Sequence, residues 1–120
     1  GNIVAMIRDK GVPIYCCGEE MQELIPGTTE ASGEKHIPVY SREGDTVHVT
    51  VGSVEHPMTK EHYVSFIAYV TGDRLQLVRL YPEGNAETRM QFRGRGYLYI
   101  YCNKRQGNHR YCSHHVQRSN

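Results

Sequence analysis

Seven histidines and four cysteines are the chemically informative excess in this chain of 120 residues. Several imidazoles with one thiolate make a donor set that suits Fe, Cu or Zn rather than Mg or Ca. Three histidines stand at the edges of strand-like runs: His36 in GEKHIPV, His56 in VEHPM and His62 in KEHY. Sulfur candidates are Cys102, which ends a strand-like run, and Cys112. His56 and His62 are six residues apart, an awkward step for ligands of one metal. On a helix it turns about 600° and sends them to different faces. On a strand they share a face but lie roughly 20 Å apart. Nitrogen ligands must come within about 2.1 Å of a metal. The pair therefore converges only if the chain doubles back, and Gly52 and Pro57 permit such a bend. The competing account is that all three are histidines of ordinary polar loops.

Whatever positions them is built from strands. Period-2 alternation dominates, and no stretch of a dozen residues has helical periodicity. Val47, Val49 and Val51 alternate with Thr46, His48 and Thr50 after a Gly44-Asp45 turn. YVSFIAYV (63–70) is dense in β-branched and aromatic residues, and Thr71-Gly72-Asp73 leads to RLQLVRLY (74–81) as its hairpin partner. Pro82-Glu83-Gly84-Asn85 makes another turn before ETRMQF (87–92). Beyond Arg93-Gly94-Arg95-Gly96 comes YLYIYC (97–102), and HIPVY (36–40) brings the count to about six strands. The pattern predicts an all-β fold, an antiparallel sandwich whose loop rim gathers the histidines at one end. Residues 1–33, with the Cys16-Cys17-Gly18 turn and the polar linker PGTTEASGE, hold too little chain for a core of their own. Residues 105–120 form a basic tail without period.

Lys plus Arg number 14 and Asp plus Glu 13, a net charge of +1 that creates no long-range field toward nucleic acid or a membrane. No apolar run approaches the length of a spanning helix. GNIVAMIRDKG lacks the pattern of a secretory signal, which predicts a cytoplasmic setting with reduced thiols. Cys16 and Cys17 are neighbours, poorly placed to bridge each other. Pairing of that doublet with Cys102 and Cys112 is the alternative in an oxidising compartment. Strand edges and the short N-terminal unit are compatible with a homodimer.

GEKHIPV, GDTVHVTVGSVEHPMTKEHYVSFI and YLYIYCN together resemble the superoxide reductase family, the iron domain of desulfoferrodoxins and neelaredoxins. GNIV and CCGEEMQEL are similar to the small desulforedoxin-like domain that precedes it. The resemblance implies an immunoglobulin-like antiparallel sandwich over 34–104, preceded by a desulforedoxin-like remnant and linker over 1–33. It also implies a mononuclear non-haem iron (Fe2+/Fe3+) with four equatorial histidine nitrogens, one axial cysteine sulfur and an open position for superoxide. Carried over residue by residue, His36, His56 and His62 are equatorial ligands and Cys102 is the axial thiolate. Glu34 and Lys35 correspond to the charged pair beside the open position, where Lys35 steers superoxide. The implied reaction adds one electron and two protons to superoxide and releases hydrogen peroxide, with a rubredoxin-like protein as the electron donor.

Two departures stand out. The family places its fourth histidine three residues after the cysteine, where this chain has Arg105, which stays protonated and has no lone pair to give. His109 and His115 are the substitutes, and Cys112 is a less favoured sulfur ligand. The resemblance is expected to stop after Lys104, through a diverged terminus or a shifted reading frame. Cys16 and Cys17 correspond to half of the four-thiolate second iron centre of two-iron members, and read here either as a remnant of it or as free thiols in a turn. The alternative function is a metal-binding or electron-transfer sandwich with an impaired iron site and no catalysis. A third is an interaction domain of the same shape.

Overall fold

The computed structural model describes residues 2–23, 38–51 and 57–102, and all regular structure among them is strand. A two-residue hairpin, β1 (Tyr15–Cys16) with β2 (Glu19–Glu20), lies in the N-terminal part. The remaining strands are β3 (Pro38–Glu43), β4 (Thr46–Val51), β5 (Val64–Val70), β6 (Leu75–Arg79), β7 (Glu87–Gln91) and β8 (Tyr97–Cys102). They form two antiparallel sheets, β3-β4-β7 and β6-β5-β8, with one core between them. Among the described residues no helix is long and apolar enough to cross a membrane.

Alternation decides which face each strand buries. Val47, Val49 and Val51 of β4 meet Ile67 and Tyr69 of β5 and Leu98 and Ile100 of β8 in the core. β3 runs three residues beyond the predicted HIPVY segment, to Glu43. Ser41, Arg42 and Glu43 look like loop by composition, yet they pair in register with His48, Val47 and Thr46. On an edge strand polar side chains stay in water while the backbone still pairs, and Arg42 adds a cation–π contact 3.7 Å from the Phe92 ring centre. β5 contains a bulge between Val64 and Phe66. The extra residue, Ser65, shifts the phase, so Val64 before it and Ile67 and Tyr69 after it all reach the core.

The sheets differ on their outer faces. Register places Thr46, His48 and Thr50 of β4 beside Glu87, Arg89 and Gln91 of β7, a polar surface. On the other sheet Leu75, Leu77 and Arg79 of β6 align with Val70, Ala68 and Phe66 of β5. Tyr97, Tyr99 and Tyr101 of β8 continue these rows. A solvent-facing sheet surface is ordinarily polar. This one is apolar and aromatic.

The sheets are also tied by side chains. Gln76 of β6 donates to the Gln91 carbonyl at 2.8 Å and accepts from the Gln91 amide at 3.0 Å, filling the hydrogen-bonding edge of β7. The buried Tyr69 hydroxyl donates to the Gly94 carbonyl and accepts from the Arg93 amide at 3.1 Å, which anchors the turn before β8.

Candidate metal centre

One end of the sandwich collects the start of β3, the end of β4, the starts of β5 and β7 and the ends of β6 and β8. Register gathers these ends within each sheet, where Pro38 faces Val51, Thr50 faces Glu87, Phe66 faces Arg79 and Val64 faces Cys102, and the short 80–86 connection from the end of β6 to the start of β7 brings the two sets together. Cys102 is the last residue of β8 and is completely buried, on the inward face with Leu98 and Ile100. His62 lies two residues before Val64, the register partner of Cys102, and is half-buried. Of the residues predicted for the mononuclear centre, these two are the ones whose positions are described, and they share one end of one sheet.

The turn that presents His62 is closely held. Thr59 and His62 exchange backbone hydrogen bonds, Thr59 N–H to the His62 carbonyl at 3.0 Å and His62 N–H to the Thr59 carbonyl at 3.2 Å. The Thr59 hydroxyl repeats both links, accepting from His62 N–H at 3.1 Å and donating to its carbonyl at 3.3 Å. Met58 fastens this turn to its surroundings. Its carbonyl accepts from Glu83 N–H at 2.7 Å, and its sulfur accepts from Val64 N–H at 3.4 Å. Thr59 and Met58 are positioning residues that sequence reasoning missed. The available signal was a threonine three residues before the histidine, a spacing at which a hydroxyl closes a local turn.

His36, His56, Glu34, Lys35, His109, Cys112 and His115 lie outside the described residues, as do Gly52 and Arg105. The segments that hold His36 and His56 adjoin Pro38, Val51 and Pro57, and the first two of these are register partners at the same end of the sandwich. Among the described residues no three His, Cys, Asp or Glu side chains gather into a metal-binding group. The donor chemistry of His62 and Cys102, an imidazole and a buried thiol, fits iron or zinc. Two donors alone do not complete a metal site.

The other histidine of the described residues, His48, lies on the polar outer face, with Nε2 3.4 Å from Glu87 Oε2. At that distance the pair is an electrostatic contact rather than a well-formed hydrogen bond. It is remote in role from the strand ends. Cys16 and Cys17 are thiols on the β1–β2 turn, with their sulfurs 2.8 Å apart. Cys17 at φ 58° and Gly18 at φ 81° give the turn its left-handed geometry. The hydrogen bond from Cys17, and then one from the Asn2 backbone, hold the Cys16 thiol below the usual range.

The sequence model of the desulfoferrodoxin family matches residues 28–115. The chain belongs to the desulfoferrodoxin family. The match runs past Lys104 and takes in Arg105, His109, Cys112 and His115, so the expectation that resemblance stops after Lys104 does not hold. A desulfoferrodoxin of Clostridium acetobutylicum is 38% identical over 103 residues, covering 86% of this chain and 82% of that protein. The superoxide reductase of Treponema pallidum superimposes with a TM-score of 0.75 at 31% identity, covering 93% of this chain and 90% of that one. A superoxide reductase of Giardia intestinalis, at 20% identity and a TM-score of 0.56, shares the fold over 72% of this chain and all of its own. The two-sheet antiparallel architecture predicted from alternation is therefore that of the desulfoferrodoxin family.

Proposed function

We propose that this desulfoferrodoxin-family chain is a superoxide reductase with a mononuclear non-haem iron. The observation that carries the reading is the likeness to the Treponema pallidum superoxide reductase over nearly the full length of both chains. The placement of His62 and Cys102 at one strand end supports it. His36, His56, His62 and Cys102 hold the metal, with His109 or His115 as the further nitrogen. Iron bound there supplies a one-electron Fe2+/Fe3+ couple and a Lewis-acidic position for a small anion.

The chain's residues set the conditions for that chemistry. Cys102 is buried, so its sulfur donates from a side that water does not reach. His62 is held at the backbone by the Thr59 turn, so little ordering remains to be done when a metal binds. Lys35 presents a positive charge that draws superoxide toward the open side, with Glu34 beside it. Superoxide would take one electron from the reduced centre and two protons from solvent and leave as hydrogen peroxide. A rubredoxin-like one-electron donor then restores the reduced protein.

The test is stoichiometric. The protein loaded with Fe2+ and given limiting superoxide without oxygen is expected to yield one hydrogen peroxide per superoxide and no dioxygen. A yield of one half with dioxygen evolved, or no acceleration over buffer, rejects the reading. The second outcome favours the impaired metal-binding sandwich, which the Arg105 substitution supports. Lys35→Ala is expected to slow the superoxide reaction about tenfold at low salt, a gap that narrows as salt screens the charge. An unchanged rate at every salt concentration removes Lys35 from the steering role.

A further inference from the structure

Among the described residues, Cys17 and Glu83 are the non-glycine residues with positive φ. Glu83, at φ 71°, lies in the connection between β6 and β7. Gly84 N–H donates to the Tyr81 carbonyl at 3.3 Å, so Tyr81-Pro82-Glu83-Gly84 is a turn with proline first and a left-handed residue second at its centre. That is the pattern of a type II turn, whose second central position favours glycine or asparagine. Here the glycine stands one place later and a glutamate takes the left-handed position. Its side chain is exposed, so burial does not impose the conformation.

What the backbone gains is a direction. Turn types I and II differ by about 150° in ψ of the first central residue, which reverses the side on which the central N–H emerges. In the observed turn the Glu83 N–H donates to the Met58 carbonyl at 2.7 Å. The same connection makes two more bonds across this end of the sandwich. Leu80 N–H donates to the Ser65 carbonyl at 2.9 Å, and the Ala86 carbonyl accepts from Val51 N–H at 3.0 Å. Met58, Leu80 and Ala86 also pack against the core. Residues 80–86 thus tie together the bulge of β5, the end of β4 and the segment leading to His62. Met58 is the neighbour of Thr59, which closes the His62 turn.

Building on the metal-centre reading above, we propose that Glu83 is a positioning residue for that centre, its left-handed backbone aiming an N–H at Met58 and so fixing where the Thr59–His62 turn presents its imidazole. The carboxylate takes no part in this; the backbone does. The β6–β7 connection is a brace behind the ligand turn rather than a plain linker. With the brace in place the turn is set before a metal arrives, and less ordering is left for binding.

Iron affinity reads this directly, measured anaerobically on the full chain by Fe2+ competition with a chelator. Glu83→Val keeps the N–H but disfavours the left-handed turn, because a β-branched side chain is poorly tolerated there. It is expected to weaken Fe2+ binding about tenfold, the lower end for groups that orient metal ligands. Glu83→Gln removes the charge and Glu83→Gly relaxes the backbone, while both keep the N–H. Both should stay within about twofold of the parent. In a His62→Ala background Glu83→Val should cost nothing further, since the effect runs through that residue, whereas general destabilisation would add in both backgrounds. A second measurement needs no variant. In the metal-free parent the Glu83 amide should exchange with deuterium at least about tenfold more slowly than an unprotected amide. The role is overturned if Glu83→Val binds iron like the parent, or if Glu83→Gln or Glu83→Gly loses as much as Glu83→Val. It is likewise overturned if the loss persists without His62, or if the Glu83 amide exchanges unprotected. A parent chain that binds no Fe2+ overturns the metal-centre reading itself and this role with it, a failure told apart by a Glu83 amide that is still protected.

Discussion

Cys102→Ser is expected to abolish the blue thiolate-to-iron absorption that the oxidised iron-loaded protein shows under the proposed assignment. The sulfur sits at the end of β8, fully buried, where a hydroxyl is a far weaker donor to iron. Removing a directly bound ligand should cost more than the 10–100-fold typical of groups that merely orient ligands, so a loss of about 100-fold or more in superoxide reduction is expected. The buried hydroxyl carries its own penalty of about 1–3 kcal/mol if it finds no partner. Thermal melts of the metal-free proteins therefore have to accompany the spectra, so that a folding defect is not mistaken for a ligand defect. His62→Ala is the companion. It should lower iron content while the protein that still binds iron keeps the absorption. If the band survives in Cys102→Ser, the sulfur that would hold the iron is another cysteine, and Cys112 becomes the candidate.

Gly96→Ala is expected to be the most damaging single methyl in the described fold. A Cβ at Gly96 would collide with the Val70 carbonyl oxygen, and it would lie 2.9 Å from Thr71 Cγ2 and 3.0 Å from Tyr69 Cε1. The first obstacle is backbone, which no side-chain rotation relieves. Tyr97, the next residue, is the register partner of Val70, so any escape displaces the start of β8. Overpacking of this kind costs about 1–3 kcal/mol or more. For a chain of this size that lowers the melting midpoint by roughly 5–20 °C. Gly72→Ala is the control, since nothing lies within 4 Å of its added methyl. Its stability should stay within about 0.5 kcal/mol of the parent, as surface changes usually do. Equal melting of the two variants would mean that β8 does not pass this close to β5.

The strands that read most clearly in the sequence owe their clarity to local physics. TVHVTV and YLYIYC bury every second residue, and the pleat converts that alternation directly into an inward and an outward face. Polar Ser41–Glu43 carried no such signal, because an edge strand is held by backbone pairing rather than by its side chains. The bulge at Ser65 was invisible for a related reason. It reveals itself only when Val64 and Ile67 are matched to Cys102 and Ile100 across the sheet.

The sequence by itself determined the strand content and the family, because residue type, period and motif spacing are properties of short stretches. Tertiary structure alone decided that the turn of His62 and the end of β8 share one end of a sheet, since register joins residues forty apart in the chain. It also decided that Thr59 and Met58 hold that turn. Only the assembled sheet showed that alternate residues of three separate strands merge into a single apolar face. The physical reason is the same in each case: these arrangements depend on which strands become neighbours, and neighbours are chosen by burial summed over the whole core.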